Sequence, residues 1–172
     1  MRTRRARKWP LLSNRKSDGN REQGGSEGDM SGNAVYFEDV DIGDEITPLP
    51  MNPTHETIAA YVKACHITEK RFTDDAYARS LGMDGIIAPG NMGLAYLSRM
   101  INDWAQGAVL RKLDVRFRGF VKPGVQLTCK GLIVEKHVRG SENSIECDVF
   151  IENENGDRPV AGSATVILPT RG

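Results

Sequence analysis

Among the side chains able to move a proton, an imidazole and a carboxylate fall close together in one stretch of this chain. The stretch His66–Gly93 reads HITEKRFTDDAYARSLGMDGIIAPGNMG, and in it the imidazole of His66 stands three positions before the carboxylate of Glu69. An imidazole and a carboxylate are the types that general acid–base catalysis uses. Each also has a plainer reading: His66 as a cation complementing the end of a helix, and Glu69 as a solvated charge. Nearby, Asn91 reads as an ordinary first-turn helix residue or a ligand-facing amide, and Asp84 as a solvent-facing carboxylate.

Nucleophile and metal chemistry find less support. Cys65, Cys129 and Cys147 are scattered, form no C-x-x-C pair, and have no metal-like spacing with His55, His66 or His137. Buried, reduced thiols are expected, with no metal and no cofactor.

The elements that would position these groups follow from caps and periodicity. VYFEDVDIGDEITPLP reads as a short entry strand with a turn at Gly43-Asp44. Thr54 is a good N-cap for THETIAAYVKAC, where Ile58, Tyr61, Val62 and Cys65 recur at helical spacing. Asp74 can cap a shorter helix that stops at Gly82. Pro89-Gly90 opens NMGLAYLSRMINDWA, whose apolar positions cover more than one stripe and predict a mostly buried helix over about 91–104.

Everything beyond that helix is strand-like. Leu113, Val115 and Phe117 alternate with charges, Val125, Leu127 and Cys129 with polar residues, and Ile145, Cys147, Val149 and Ile151 likewise, before a last strand in AGSATVILP. Turns at Lys122-Pro123-Gly124, Arg139-Gly140-Ser141 and Asn153–Asp157 have the spacing of an antiparallel meander. Such a sheet, wet on one face, needs something apolar on the other, and the long helix is the candidate. This predicts an α+β chain, a single hotdog domain over 34–172 with an antiparallel sheet wrapped around a central helix. Its exposed strand edge predicts oligomerisation.

Charge and composition bound the rest. The 172 residues suit one domain, and 23 basic against 23 acidic residues leave no overall field to recruit nucleic acid or an anionic membrane. Residues 1–33 carry eight basic and four acidic side chains and are poor in apolar residues after Leu12. They predict a disordered basic tail, or less favourably a targeting peptide. Met30, which opens MSGNAVYFEDV, is a candidate alternative start. No apolar run approaches the roughly 20 residues of a membrane span, and a soluble, cytoplasmic protein is expected.

From Tyr36 to Leu168 the chain resembles the MaoC-like hotdog hydratases and dehydratases of acyl thioesters. YFEDVDIGDEI is similar to that family's opening segment, and FRGFVKPGVQLTCKGLIVEK to its later strand pair. Members carry a segment of the type F-A-x-L-S-G-D-x-N-P-x-H-x-D-x-x-Y-A and a loop ending I-A-H-G. Set without gaps, YVKACHITEKRFTDDAYA matches at Tyr61, Asp74, Tyr77 and Ala78, and GIIAPG, Gly85–Gly90, matches the loop. The resemblance implies an Asp–His pair that adds or removes water, and a backbone N–H at the start of the central helix that steadies the enolate oxygen. That donor position is Gly90, which is retained. The Asp position is Ile67 and the His position is Phe72, and neither side chain transfers a proton.

Some members of this family are non-catalytic sisters within heterodimers, with an aromatic residue at the His position and I-A-P before the helix, and Phe72 and IIAPG resemble that pattern. The reading placed first is therefore an acyl thioester-binding subunit, with substrate contacts at Gly90, Asn91, Phe72 and Ile67, that completes a hydratase as a homo-oligomer or with a catalytic MaoC-like partner. The thioester could be carried by coenzyme A or by a carrier protein. A self-sufficient enzyme using His66 and Glu69 ranks second. A hotdog thioesterase ranks third. Nucleic-acid binding through the basic tail ranks last, since neither aromatic–basic interleaving nor a recognition helix appears.

Overall fold

The computed structural model describes residues 34–139 and 142–171. The expected basic tail over 1–33 and the Gly140-Ser141 turn lie outside the described residues. After a short 3-10 turn at Phe37–Asp39 come β1 (Glu45–Met51), α1 (His55–Ala64), a second 3-10 turn at Lys70–Phe72, α2 (Asp75–Ser80) and α3 (Gly90–Trp104). Four strands follow: β2 (Val109–Phe117), β3 (Leu127–Arg139), β4 (Glu142–Asn153) and β5 (Val160–Ile167).

The strands form one antiparallel sheet in the order β1-β3-β4-β5-β2. The expected meander is present only from β3 to β5: β2 pairs with β5 at the far edge, so the turn at Lys122-Pro123-Gly124 begins a crossing to β3 and does not close a hairpin. The opening segment differs too. Its turn comes first and its strand afterwards, running through Thr47-Pro48-Leu49-Pro50. Two prolines would break a central strand's ladder, but β1 is an edge strand, and its register slips between Ile46 and Leu49 where Pro48 sits.

The core follows from strand alternation. Ile145, Cys147, Val149 and Ile151 of β4 are all buried, as are Cys129 and Ile133 of β3 and Val160, Ala164 and Val166 of β5. Met92, Leu97, Met100 and Ile101 of α3 join the same cluster. Close approach of helix and sheet depends on Gly93, where a Cβ would come within 3.2 Å of the Ile151 side chain. This is the expected α+β hotdog arrangement. Burying each side chain of this size stabilises by about 1.5–3 kcal/mol before entropy is counted.

Two alternating rows did not bury as expected. On β2, Leu113 and Val115 are only half-buried and Phe117 is 53 % exposed, because β2 is the sheet's other edge and its flank is uncovered. Val125 lies before β3 begins and is exposed. Of the thiols expected to be buried, Cys129 and Cys147 are, but Cys65 is exposed, since it caps the end of α1 instead of facing the core.

Candidate functional site

α1 starts as its sequence predicts. Thr54 Oγ1 accepts from the Thr57 N–H at 3.1 Å, and Thr57 Oγ1 accepts from the Thr54 N–H at 2.8 Å, a reciprocal cap. Its end is less ordinary. The His66 N–H donates to Lys63 C=O at 3.2 Å and the Ile67 N–H to Val62 C=O at 2.9 Å. This is the paired bonding of a Schellman ending, which puts the residue after the cap in the left-handed region. α2 ends in the same way, with Gly82 N–H to Arg79 C=O and Met83 N–H to Ala78 C=O, and uses glycine at φ 82°. In α1 that position belongs to His66, at φ 53°, the one non-glycine residue with positive φ among the described residues. On the gapless match, the family segment has its own glycine there.

The stretch then turns back so that Ile67 and Phe72 face the start of α3. Asp74 caps α2 by accepting the Tyr77 N–H at 3.0 Å, and Ala78 is buried, so these two of the shared frame residues are scaffold. Asp75 accepts the Ile86 N–H at 2.9 Å, and the Ala88 N–H donates to Val121 C=O at 2.8 Å. These two bonds fix the loop Ile86–Pro89, all of it buried, and deliver Gly90 to the surface as the first residue of α3. Pro89 stands at the N-cap and supplies no side-chain cap; the Met92 N–H donates to Pro89 C=O at 3.0 Å, while the Gly90 and Asn91 N–H groups have no acceptor among the described residues.

The six residues singled out in the sequence line one depression of about 380 Å³: His66, Ile67, Glu69, Phe72, Gly90 and Asn91. Thr68 and Pro89 complete its wall. Phe72 is buried and Ile67 half-buried, so the depression has an apolar side opposite the helix start. No hydrogen bond or ion pair joins His66 to Glu69 among the described residues. Glu69 pairs instead with Arg71 at 3.7 Å, and the Arg71 guanidinium lies 4.9 Å from the centre of the Phe72 ring. The arrangement can bind an apolar chain beside a hydrogen-bond-donating helix start, and it offers no assembled acid–base couple.

Residues around the site have structural work. Asp84 is exposed but bonded to Lys122 at 2.5 Å, and that hydrogen bond and charge hold its carboxyl below the usual range. Burial, and then a hydrogen bond with Cys65, push the Tyr61 hydroxyl up. Burial alone raises the Cys129 thiol to about 12, and burial with Glu146 and Asp148 does the same for Cys147, so neither is a nucleophile at neutral pH. Among the described residues, no group of three or more His, Cys, Asp or Glu side chains could hold a metal ion.

One neighbour escaped the sequence reading. The Phe117 ring lies against Gly90, where a Cβ would come within 3.0 Å of its edge. Alternation marked Phe117 as a strand residue, but nothing in the sequence pairs it with a position 27 residues earlier.

The family described as FAS1-like, dehydratase domain region, matches residues 40–161. No curated protein matches the sequence. Among solved structures, the fold is similar to the unliganded R-hydratase PhaJ1 from Pseudomonas aeruginosa, at TM-score 0.73 and 18 % identity, over 80 % of this chain and 88 % of that one. It is also similar to the MaoC-like dehydratase from Rhodospirillum rubrum, at TM-score 0.72 and 16 % identity, over 81 % and 99 % of the two chains. The ChsH1–ChsH2 complex from Mycobacterium tuberculosis matches at TM-score 0.64 and 20 % identity, over 76 % and 98 %. The chain belongs to the FAS1-like dehydratase-region family and has the hotdog fold of the MaoC-like dehydratases and R-hydratases.

Proposed function

We propose that this chain binds an acyl thioester and serves as the substrate-binding subunit of a heteromeric enoyl hydratase or 3-hydroxyacyl dehydratase. One observation carries the reading. Where the family segment has its Asp and His, the depression is lined by Ile67 and Phe72, while the Gly90 N–H end of α3 is kept beside them. Binding of an apolar acyl chain and polarisation of a thioester carbonyl need only the latter features. Hydration also needs a proton donor and acceptor, and losing each typically costs about 10²–10⁴-fold. A partner with an intact Asp–His pair would supply them, and the open flank of β2 leaves room for an oligomer.

The test follows hydration of crotonyl-CoA and longer enoyl-CoA thioesters by the purified chain, alone and mixed with a MaoC-like protein that carries the pair. The expected result is thioester binding without efficient turnover alone, and turnover in the mixture. Efficient turnover by the chain alone, abolished by His66→Ala or Glu69→Gln, would overturn the reading in favour of a displaced pair.

A further inference from the structure

A backbone N–H polarises a carbonyl only when it points at the oxygen, so the loop that delivers Gly90 decides what that donor can do. The four residues Ile86–Pro89 are buried and run directly into α3. The Ala88 N–H, on Val121 C=O at 2.8 Å, anchors the middle of this segment through backbone alone. One anchor would leave the segment free to pivot. The second anchor is a side chain, since Asp75 Oδ1 accepts the Ile86 N–H at 2.9 Å.

The carboxylate fits there because residue 85 is glycine. A Cβ at that position would come within 2.8 Å of Asp75 Oδ1, nearer than side-chain carbons approach. Gly85 is not one of the glycines with positive φ, so it serves as space and not as a left-handed turn. Ile86 is 5 % exposed, which leaves solvent poorly placed to replace a lost acceptor. A hydrogen bond to an ionised carboxylate is also of the stronger kind. Other side-chain links in this region are weaker. Asp75 Oδ2 stands 3.7 Å from His55 Nε2, and Asp84 bonds Lys122, but both pairs are largely exposed and contribute little.

We infer that Asp75 is a positioning residue of the site: its carboxylate, seated against Gly85, sets the direction in which Gly90 presents its N–H to a thioester oxygen. Asp75 does not line the depression and acts through the loop. The inference rests on the acyl-thioester reading above and adds to it the side chain that holds the donor in place.

Titration of the full chain with cinnamoyl-CoA tests it, since the absorption band of that probe moves to the red when a donor polarises its carbonyl. Wild-type protein is expected to bind it with a red-shifted band. Asp75→Ala should weaken binding about tenfold and remove most of the shift. Asp75→Asn keeps an oxygen for the Ile86 N–H and should retain both. Gly85→Ala should act like Asp75→Ala, and the double variant should be no worse than either alone. Asp74→Ala removes the α2 cap but no bond to the loop, so it should lower the unfolding midpoint and leave the band in place. That control separates positioning from stability. A red shift preserved in Asp75→Ala, or lost equally in Asp74→Ala, overturns the inference. Failure of the acyl-thioester reading has a different signature, in which wild-type protein neither binds the probe nor shifts its band. Amide exchange over Ile86–Asn91 then decides: exchange about tenfold faster in Asp75→Ala than in Asp74→Ala sustains the hold of Asp75 on the loop, and equal exchange overturns it.

Discussion

Gly90 and Phe117 touch so closely that a Cβ at residue 90 would sit 3.0 Å from two carbons of the Phe117 ring. The contact joins the first residue of α3 to the last of β2, so the position of the helix's free N–H groups is set from an edge strand. In Gly90→Ala the ring must yield or the helix start must tilt. The ring is half exposed and can move, so stability should change by less than about 1 kcal/mol. Acyl-thioester affinity should fall, and Phe117→Leu should restore it in the double variant. A double-mutant cycle on binding checks this, and additivity of the two substitutions would show that the contact does not position the donor.

His66 holds a backbone conformation that α2 gives to glycine. A non-glycine residue in the left-handed region costs about 1–2 kcal/mol, partly offset because His tolerates it better than most. His66→Gly is therefore expected to stabilise by about 0.5–1 kcal/mol despite glycine's larger unfolded-state entropy, and His66→Val to destabilise by at least as much. Urea unfolding midpoints measure both. If His66→Gly destabilises, the imidazole makes an interaction that its exposed placement does not reveal.

Glu152 links pH to stability on the outer face of the sheet. Burial pushes its carboxyl up, but hydrogen bonds and charges from Lys130, at 2.6 Å, and Arg158, at 2.8 Å, outweigh it and leave the group below its ordinary 4.5. A carboxyl depressed in the folded state binds protons more readily when unfolded. Its contribution is complete above pH 4.5 and is lost as pH falls through the folded value. Wild-type protein should thus lose stability below about pH 4.5 more steeply than Glu152→Gln, which begins less stable at pH 7. Parallel acid limbs in the two proteins would exclude Glu152 as a source of that dependence.

Much of the fold was legible because its signals are local. Thr54 and Asp74 announced their helices by caps, Gly82 announced an ending, and the alternation of β4 gave its core face residue by residue. The six pocket residues were legible through the spacing of a family segment, and the structure brings them to one depression. What escaped depends on contacts distant in sequence. The Pro48 and Pro50 strand is permitted only by its edge position, which strand order alone decides. The half-exposure of Leu113, Val115 and Phe117 has the same origin. His66 escaped because helical periodicity carries no information on which residue takes the left-handed turn.

Ile67 and Phe72 differ in how firmly the fold holds them, and this predicts how easily an acid–base pair could be installed. Ile67 is half-buried at the end of α1, where a carboxylate can reach solvent through the depression. Phe72 is 6 % exposed and belongs to the main core cluster, so a histidine there loses apolar contacts and buries polar nitrogens. Phe72→His should cost about 2–4 kcal/mol and Ile67→Asp about 1–2 kcal/mol. The double variant should recover part of the sum if Asp and His can bond across the depression, since neighbouring substitutions are not additive. Chemical unfolding of the three variants measures the coupling. A favourable coupling above about 0.5 kcal/mol would show that the depression keeps the geometry for a pair. Strict additivity would mean that the segment between residues 67 and 72 has drifted from it, and then only a partner chain could supply the proton transfers.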